Sequence, residues 1–403
     1  MTDASPELDV EGALAPSPVR FSRTSFAGIT VATGLVGGIV AVYGTILVGV
    51  AHRFHLSLAT AGVTLSANFV GALLGVVVCW WALRRHGGGR VLASALVVFA
   101  LGLGLAAVAP SWPVFVAAIV LAGVGFGALD VGGLALLSRT EPGHRAWRLS
   151  VTGSGWALGA IAGPLVIVII RPDRFGVLLA VAGLLALALT AFMRGIEATP
   201  PPPKSTVARL ARPANRSAVL RTFLAAFCCY VALETAVAGW IASQLHGLGY
   251  AVTVGSLVTA GFWAGLAIGR LAARRLLRRW DGHWIVLVGL TCAVALLFAA
   301  GARWSAPFAY PLAGVALASV FPLGLHRFTE LSPDDHDGVA SLVLIGMLGG
   351  ILGSGAENVA VAALGLDAVP FVAAGLAALC LAVFASAMRF PALEATPAAQ
   401  LQE

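Results

Sequence analysis

Three carboxylates stand inside long apolar stretches of the sequence: Asp130, Glu234 and Glu357. Holding an ionised carboxylate in hydrocarbon costs several kcal/mol, so such a residue faces a bundle interior or a wet cavity and is a functional hypothesis by default. Asp130 lies at the middle of LAGVGFGALDVGGLALLSR, Leu121 to Arg139. Gly123, Gly125 and Gly127 just before it carry no side chain to keep a neighbouring helix away. A carboxyl group away from bulk water can hold a proton near neutral pH and release it when water or a basic partner arrives. That is the chemistry a proton-coupled carrier needs. Asp130 is therefore predicted as the main coupling site and Glu234 as the second, placed mid-span in opposite halves of the chain. The alternative is an acid that only pins helix packing.

Glu357, with Asn358, follows the glycine-dense run GMLGGILGSG. It is expected either to contact substrate or to cap a local break. Tyr43, Asn68, Trp156, Tyr230, Trp240, Trp263, Glu357 and Asn358 are the candidates for a substrate-binding wall. Tyr230 and Glu234 are four apart and share one helical face. Flat aromatic faces with amide and carboxylate groups suit a sugar, and they also suit an amphipathic organic cation through cation–π contact. Each aromatic taken singly is equally at home as an interfacial anchor or packing residue, and Trp284 and Trp304 read as anchors. Arg270 is the best in-membrane partner for a carboxylate, with snorkelling to the surface as its alternative. His52, His55, His246 and His326 fall at or near span ends and are read as non-coupling residues. The five cysteines all lie in apolar runs, and none sits with histidines at metal-ligand spacing. No metal site, cofactor or catalytic residue is expected.

The elements that position these groups are membrane helices. The chain is 59% hydrophobic and only 11% charged, with mean hydropathy +0.94, against about 25% charged residues in an ordinary soluble domain. Apolar runs fall at about 26–51, 61–83, 91–109, 113–138, 149–170 and 174–193, and again at about 221–245, 255–276, 284–301, 307–328, 338–363 and 369–388. Each is long enough to span a bilayer. A Pro-rich stretch with TPPPPKS and ARPANR separates the two sets. The division is a disordered cytoplasmic tail at 1–22, a six-helix bundle at 23–195, a cytoplasmic linker at 196–218, a second six-helix bundle at 219–389 and a cytoplasmic tail at 390–403. With the N-terminus inside, 21 of the 25 Lys and Arg fall on inner segments and four on outer ones. The positive-inside rule then puts both termini in the cytoplasm. The +7 net charge is a topology signal and not a nucleic-acid footprint. No nucleotide-binding signature, repeated selectivity loop or compact hydrolase motif is present, which argues against a pump, a channel and an intramembrane enzyme.

A weak repeat joins the two halves. NFVGALLG carries Gly71 and Gly75, GFWAGLAIG carries Gly265 and Gly269, and both pairs are offset by 194 residues. Basic runs follow both, RRHGGGR and RRLLRR. Two parallel six-helix halves around a midplane site are a transporter layout.

On these residues the chain resembles the major facilitator superfamily over essentially its whole length beyond the tail. WWALRRHGGGRVL stands where that family has a Gly-x-Leu-x-Asp-Arg-x-Gly-Arg-Arg motif: Gly87, Arg85 and Arg90 match, whereas Trp80 replaces the first glycine and Arg84 the acid. The resemblance makes Arg84, Arg85, Arg90, Arg270 and Arg274 the candidate gating residues. Finer features resemble the fucose-permease-like, sugar:proton symporting branch. These are Asp130 after its glycine-rich run, Glu234 and Trp240 in LETAVAGW, the FWxGxxxGR run that ends at Arg270, and Phe321–Pro322. In that branch the fourth-helix acid takes part in proton coupling. The acid such importers can carry in the first helix is absent, and Tyr43 and Thr45 are the only interior polar residues there. GSGWALGAIAGPLV, with Gly155, Gly159, Gly163 and Pro164, partly resembles the motif strongest in family antiporters, and it also reads as a Pro-kinked helix packed on small residues.

The expected protein is thus an all-α membrane protein of twelve transmembrane helices in two pseudo-symmetric halves. It is expected to be a monomeric, multi-pass carrier in the inner membrane. Its partners would be a small-molecule substrate, protons and membrane lipid, with no nucleic acid. Proton-coupled uptake of a sugar-like solute is the first reading. Proton-antiporting export of a hydrophobic or drug-like compound is the second, and a transport-dead sensor on the same scaffold is the third.

Overall fold

The computed structural model describes residues 19–197, 214–332 and 336–390. Residues 1–18 and 391–403 of the expected tails and 198–213 of the linker lie outside the described residues, while 19–22 of the first tail are described, with Arg20–Phe21 in a short strand. Twelve helices among those described are long and apolar enough to cross a membrane, one for each apolar run. α1 (Arg23–Thr45) opens on Ser22, whose Oγ accepts the Ser25 backbone N–H at 3.1 Å. A short α2 (Leu47–Phe54) extends it. α3 (Leu58–Leu83) is capped in the same way by Ser57. α4 (Gly88–Val108), α5 (Trp112–Ser138), α6 (Pro142–Ile170) and α7 (Phe175–Leu189) complete the first half. The second half holds α8 (Ala214–Gly247), α9 (Val252–Leu276), α10 (Gly282–Ala299), α11 (Ala306–Leu317), α12 (Val320–Leu331), α13 (His336–Leu364) and α14 (Val369–Ala387).

The tenth apolar run, one helix on sequence, is two helices in the structure. The break falls at Ala318–Ser319. Pro322 has no N–H to offer the Ala318 carbonyl, and its ring crowds that carbonyl. α6 instead continues through Pro164.

An even number of spans leaves Val19 and Phe390 on one side, the near face, with the far face opposite. At the near face Arg20 pairs with Glu197 and Phe21 with Ile196 in a two-residue antiparallel ladder. This ties the segment after α7 to the entry of α1.

The repeat has a physical meaning. Gly71 and Gly75 of α3 lie on the Val120 and Val124 carbonyls of α5, and Gly265 and Gly269 of α9 lie on the Pro311 and Val315 carbonyls of α11. The same backbone-to-backbone contact is made once in each half, and a side chain at any of the four would overlap it. Gly123 and Gly127 return the contact to α3, while Gly125 admits Phe99 of α4. α5 is thereby clamped on two sides and Asp130 is left on its open face. Gly155 and Gly159 of α6 pack on Thr30 and Gly34 of α1, and Gly163 on Gly38, so these glycines serve the α1–α6 seam.

The halves meet along α1 with α8, α3 with α13 and α6 with α9. Gly44 packs on the Gly239 backbone, Gly62 on Trp240 and Asn358, and Gly350 on the Phe69 ring. Ser66 Oγ and Ser354 Oγ are 3.1 Å apart. These contacts run from mid-span to the far face. Towards the near face, α5 and α12 form no packed pair among the described residues.

Candidate functional site

A cavity of about 360 Å³ lies between the halves. Its floor is Val40, Leu65 and Gly239, on the far-face side, and its mouth is Leu137, Leu149 and Leu342, towards the near face. The lining follows helical spacing. α5 offers Phe126, Asp130 and Leu134 at intervals of four, α6 offers Thr152 and Trp156, and α8 offers Val231, Glu234 and Thr235. Trp263 and Arg270 come from α9 and Phe321 from α12.

The two predicted coupling acids therefore face one cavity from opposite halves. Their surroundings differ. The Asp130 carboxylate has neither hydrogen-bond nor ion-pair partner among the described residues, and its environment is set by burial. Glu234 lies within electrostatic reach of the Arg270 guanidinium and the Tyr230 hydroxyl. The three do not close into a direct ion pair, and the Tyr230 hydroxyl and Arg270 Nε make no well-formed hydrogen bond. The site thus holds a bare acid on one wall and an acid with a nearby cation on the other.

Trp156 and Trp263 meet edge to face across the cavity, with ring centroids 5.2 Å apart and Trp263 Nε1 unpartnered. The hydroxyls of the lining are largely spent on their own helices. Thr33 donates to the Ile29 carbonyl at 2.8 Å and Thr235 to the Val231 carbonyl at 2.8 Å. Ser354 donates to the Gly350 carbonyl at 2.5 Å. No Asn or Gln is among the described lining residues. Aromatic and aliphatic surface with a few fixed charges is what remains.

Of the predicted wall, Trp156 and Trp263 line the cavity, and Arg270, grouped on sequence with the gating arginines, lies inside it beside Glu234. Tyr43, Asn68, Tyr230, Trp240 and Glu357 are fully enclosed and, with Asn358, stand outside the lining in this conformation. Tyr43, Trp240, Glu357 and Asn358 lie in the far-face third, under the seam between the halves. Arg84, Arg85 and Arg90 are exposed at the near face. The Arg85 guanidinium sits 4.4 Å over the Trp81 ring, and Arg84 and Arg85 flank a groove with Leu344 of the second half. The Arg274 side chain lies outside the described residues. Sequence reasoning passed over Phe126, Thr152, Thr235 and Phe69 as lining residues. The first three stand within four residues of Asp130, Trp156 and Glu234, so helical spacing from those anchors was the available signal.

The fold, the internal repeat and the inter-half cavity together describe a carrier, and a family model for the Major Facilitator Superfamily matches residues 29–354. The chain belongs to that superfamily. It is a transporter and not an enzyme. This superfamily member is 27% identical over 355 residues to "Inner membrane transport protein YdhP" of Escherichia coli O157:H7, covering 85% of this chain and 90% of that one. A D-xylose-proton symporter superposes with TM-score 0.73 at 14% identity, covering 90% of this chain and 96% of its own. FucP in its outward conformation superposes with TM-score 0.62 at 18% identity, covering 91% and 99%. Identities this low speak for the shared fold. Twelve membrane-spanning helices and the inner-membrane relative make this a multi-pass inner-membrane protein.

Proposed function

We propose that the protein is a proton-coupled secondary carrier that moves a small organic solute across the cytoplasmic membrane by alternating access, with Asp130 and Glu234 as its coupling groups. The observation that carries this reading is that the two acids face one cavity from opposite halves. The cavity is closed at the far face and reaches towards the near face, so rocking about the α1–α8, α3–α13 and α6–α9 seams exposes the same groups to either side. The halves are taken as 23–195 and 219–389 joined by the linker 196–218, with both termini cytoplasmic and a monomer as the working unit. The near face is then the cytoplasmic one. A bare Asp130 gains and loses its proton with the water or solute that enters. Glu234 exchanges its interaction with Arg270 for one with a proton or a solute group.

The lining supports an amphipathic solute best. It offers the Trp156 and Trp263 rings and apolar walls, with two carboxylates for a positive or hydrogen-donating group. A sugar-like solute is the second reading, favoured by the resemblance of the Asp130, Glu234 and Arg270 motifs to sugar:proton symporters and by the two Trp faces. The test is proton flux in vesicles of known orientation, with panels of sugars and cationic dyes, for the native chain and for Asp130→Asn and Glu234→Gln. A solute that drives proton movement in the native chain but not in the variants supports the coupling roles. Unchanged solute-driven proton flux in both variants sinks them. Counterflow of no solute at all would leave a transport-dead sensor.

A further inference from the structure

Glu357 is the acid the cavity does not use. It is fully buried in the far-face third of α13, and neither carboxylate oxygen has a hydrogen-bond partner. α8, α3 and α14 pack against α13. At this depth α8 brings Trp240, Ser243 and Gln244, none of them charged, and the far-face ends of α3 and α14 bring no acid or base. His246 and Asp367 stand beyond, exposed at the far surface. The titratable group within electrostatic reach is Tyr310 of α11, whose buried hydroxyl also lacks a partner. An interior with no cation, and no donor bonded to the acid, disfavours a bare carboxylate anion.

The cover over this region belongs to the other half. Gly62 of α3 lies against Asn358 Oδ1 and the Trp240 ring. Asn358 Oδ1 and Trp240 Nε1 are both buried and unpartnered. They form a buried polar edge that opens to water as soon as α3 moves away. We propose that Glu357 is a third protonation site of the cycle, served from the far face: it holds a proton while α3 closes over its neighbours Asn358 and Trp240, and yields it to water when α3 swings off α8 and α13. The step is a plain acid dissociation, with the carboxyl O–H proton passing to water and leaving a hydrated carboxylate. It rests on the alternating-access reading above, though not on the roles of Asp130 and Glu234. The sign is fixed by proton count. The far-face-closed form holds one more proton, so rising pH favours opening, by at most about tenfold per pH unit.

The test is hydrogen exchange read by mass spectrometry on the full chain in lipid nanodiscs. Peptides covering 58–66 and 355–364 are followed at about pH 6 and about pH 8.5, after correction for intrinsic chemistry. The native chain should show several-fold faster corrected exchange in both peptides at the higher pH. Glu357→Gln should flatten that response, and Glu357→Asp, which keeps the carboxyl, should retain it. Gly62→Val, which cannot close over Asn358 and Trp240, should exchange fast at either pH. Asp130→Asn with Glu234→Gln removes any share of the response owed to the coupling groups, and the response that remains should be the part that Glu357→Gln abolishes. A native response that survives in Glu357→Gln overturns the proposal and leaves the coupling reading standing. So does the same rise produced by sodium at fixed pH, which would make this a cation site. Slow exchange even in Gly62→Val would sink alternating access and this proposal with it.

Discussion

Glu234 and Arg270 are half-buried neighbours on α8 and α9, and each is the other's compensation. Removing one member of a buried pair leaves an uncompensated charge and costs about 3–5 kcal/mol, while replacing both costs far less. Both side chains touch the cavity, so water reduces the effect here. Arg270→Gln alone should lower stability by about 1–2 kcal/mol, and Arg270→Gln with Glu234→Gln should recover most of that loss. Thermal unfolding of the four species in one detergent closes the cycle, and additive losses would show that the two groups do not interact. Asp130 gives the contrasting case. With no partner to orphan, Asp130→Asn should leave the unfolding temperature at or slightly above the native value while abolishing proton-linked flux. At the aromatic wall, Trp263→Ala should weaken solute binding through the lost ring face and the lost edge-to-face contact with Trp156. That contact is worth about 0.5–1.5 kcal/mol beyond its buried area.

At the scale of elements, α6 carries glycines of two kinds. A Cβ at Gly159 would overlap the Gly34 backbone of α1, whereas at Gly153, on the cavity side, it would meet nothing within 4 Å. Gly159→Val should therefore destabilise by about 1–3 kcal/mol or more, as over-packing does. Gly153→Ala should leave the unfolding temperature unchanged or raise it slightly, since it also favours the helix. Comparable losses in the two variants would mean that composition of the helix, and not the α1–α6 seam, sets its sensitivity. Elements were also what the sequence specified best. Every apolar run became a span, because length and hydropathy suffice for that. The glycine offset of 194 residues became the same helix contact in each half. What depth along a helix cannot supply is azimuth. α5 and α13 are apolar nearly all round, so no stripe marks the cavity face. Tyr43, Trp240 and Glu357 share the depth and residue types of a pocket wall, yet they point into the packing beneath the far-face seam. Asp130, Glu234, Trp156 and Trp263 were legible because a carboxylate or a large ring mid-span has few other places to go. The break at Ala318–Ser319 was legible in principle from Pro322 and was passed over because the hydropathy run continues through it.

Across the whole molecule, the state is defined by which end of the inter-half seam is shut. Ser66 of α3 and Ser354 of α13 bridge the halves with their Oγ atoms 3.1 Å apart, close enough for cysteines at the two positions to meet the geometry of a disulfide. Ser66→Cys with Ser354→Cys should cross-link readily under mild oxidation, with the linked peptide identified by mass spectrometry. Such a bond holds α3 on α13 and denies the cavity any route to the far face. Solute counterflow should therefore stop on oxidation and return on reduction. Adding Gly62→Val should slow the cross-linking several-fold, because the valine side chain meets Asn358 and Trp240 one or two turns further out and props the same seam open. A cross-linked protein that still exchanges solute would mean that α3 and α13 move as one body. The pivot would then lie elsewhere, and Gly62 would be a packing residue rather than the point at which the far face closes.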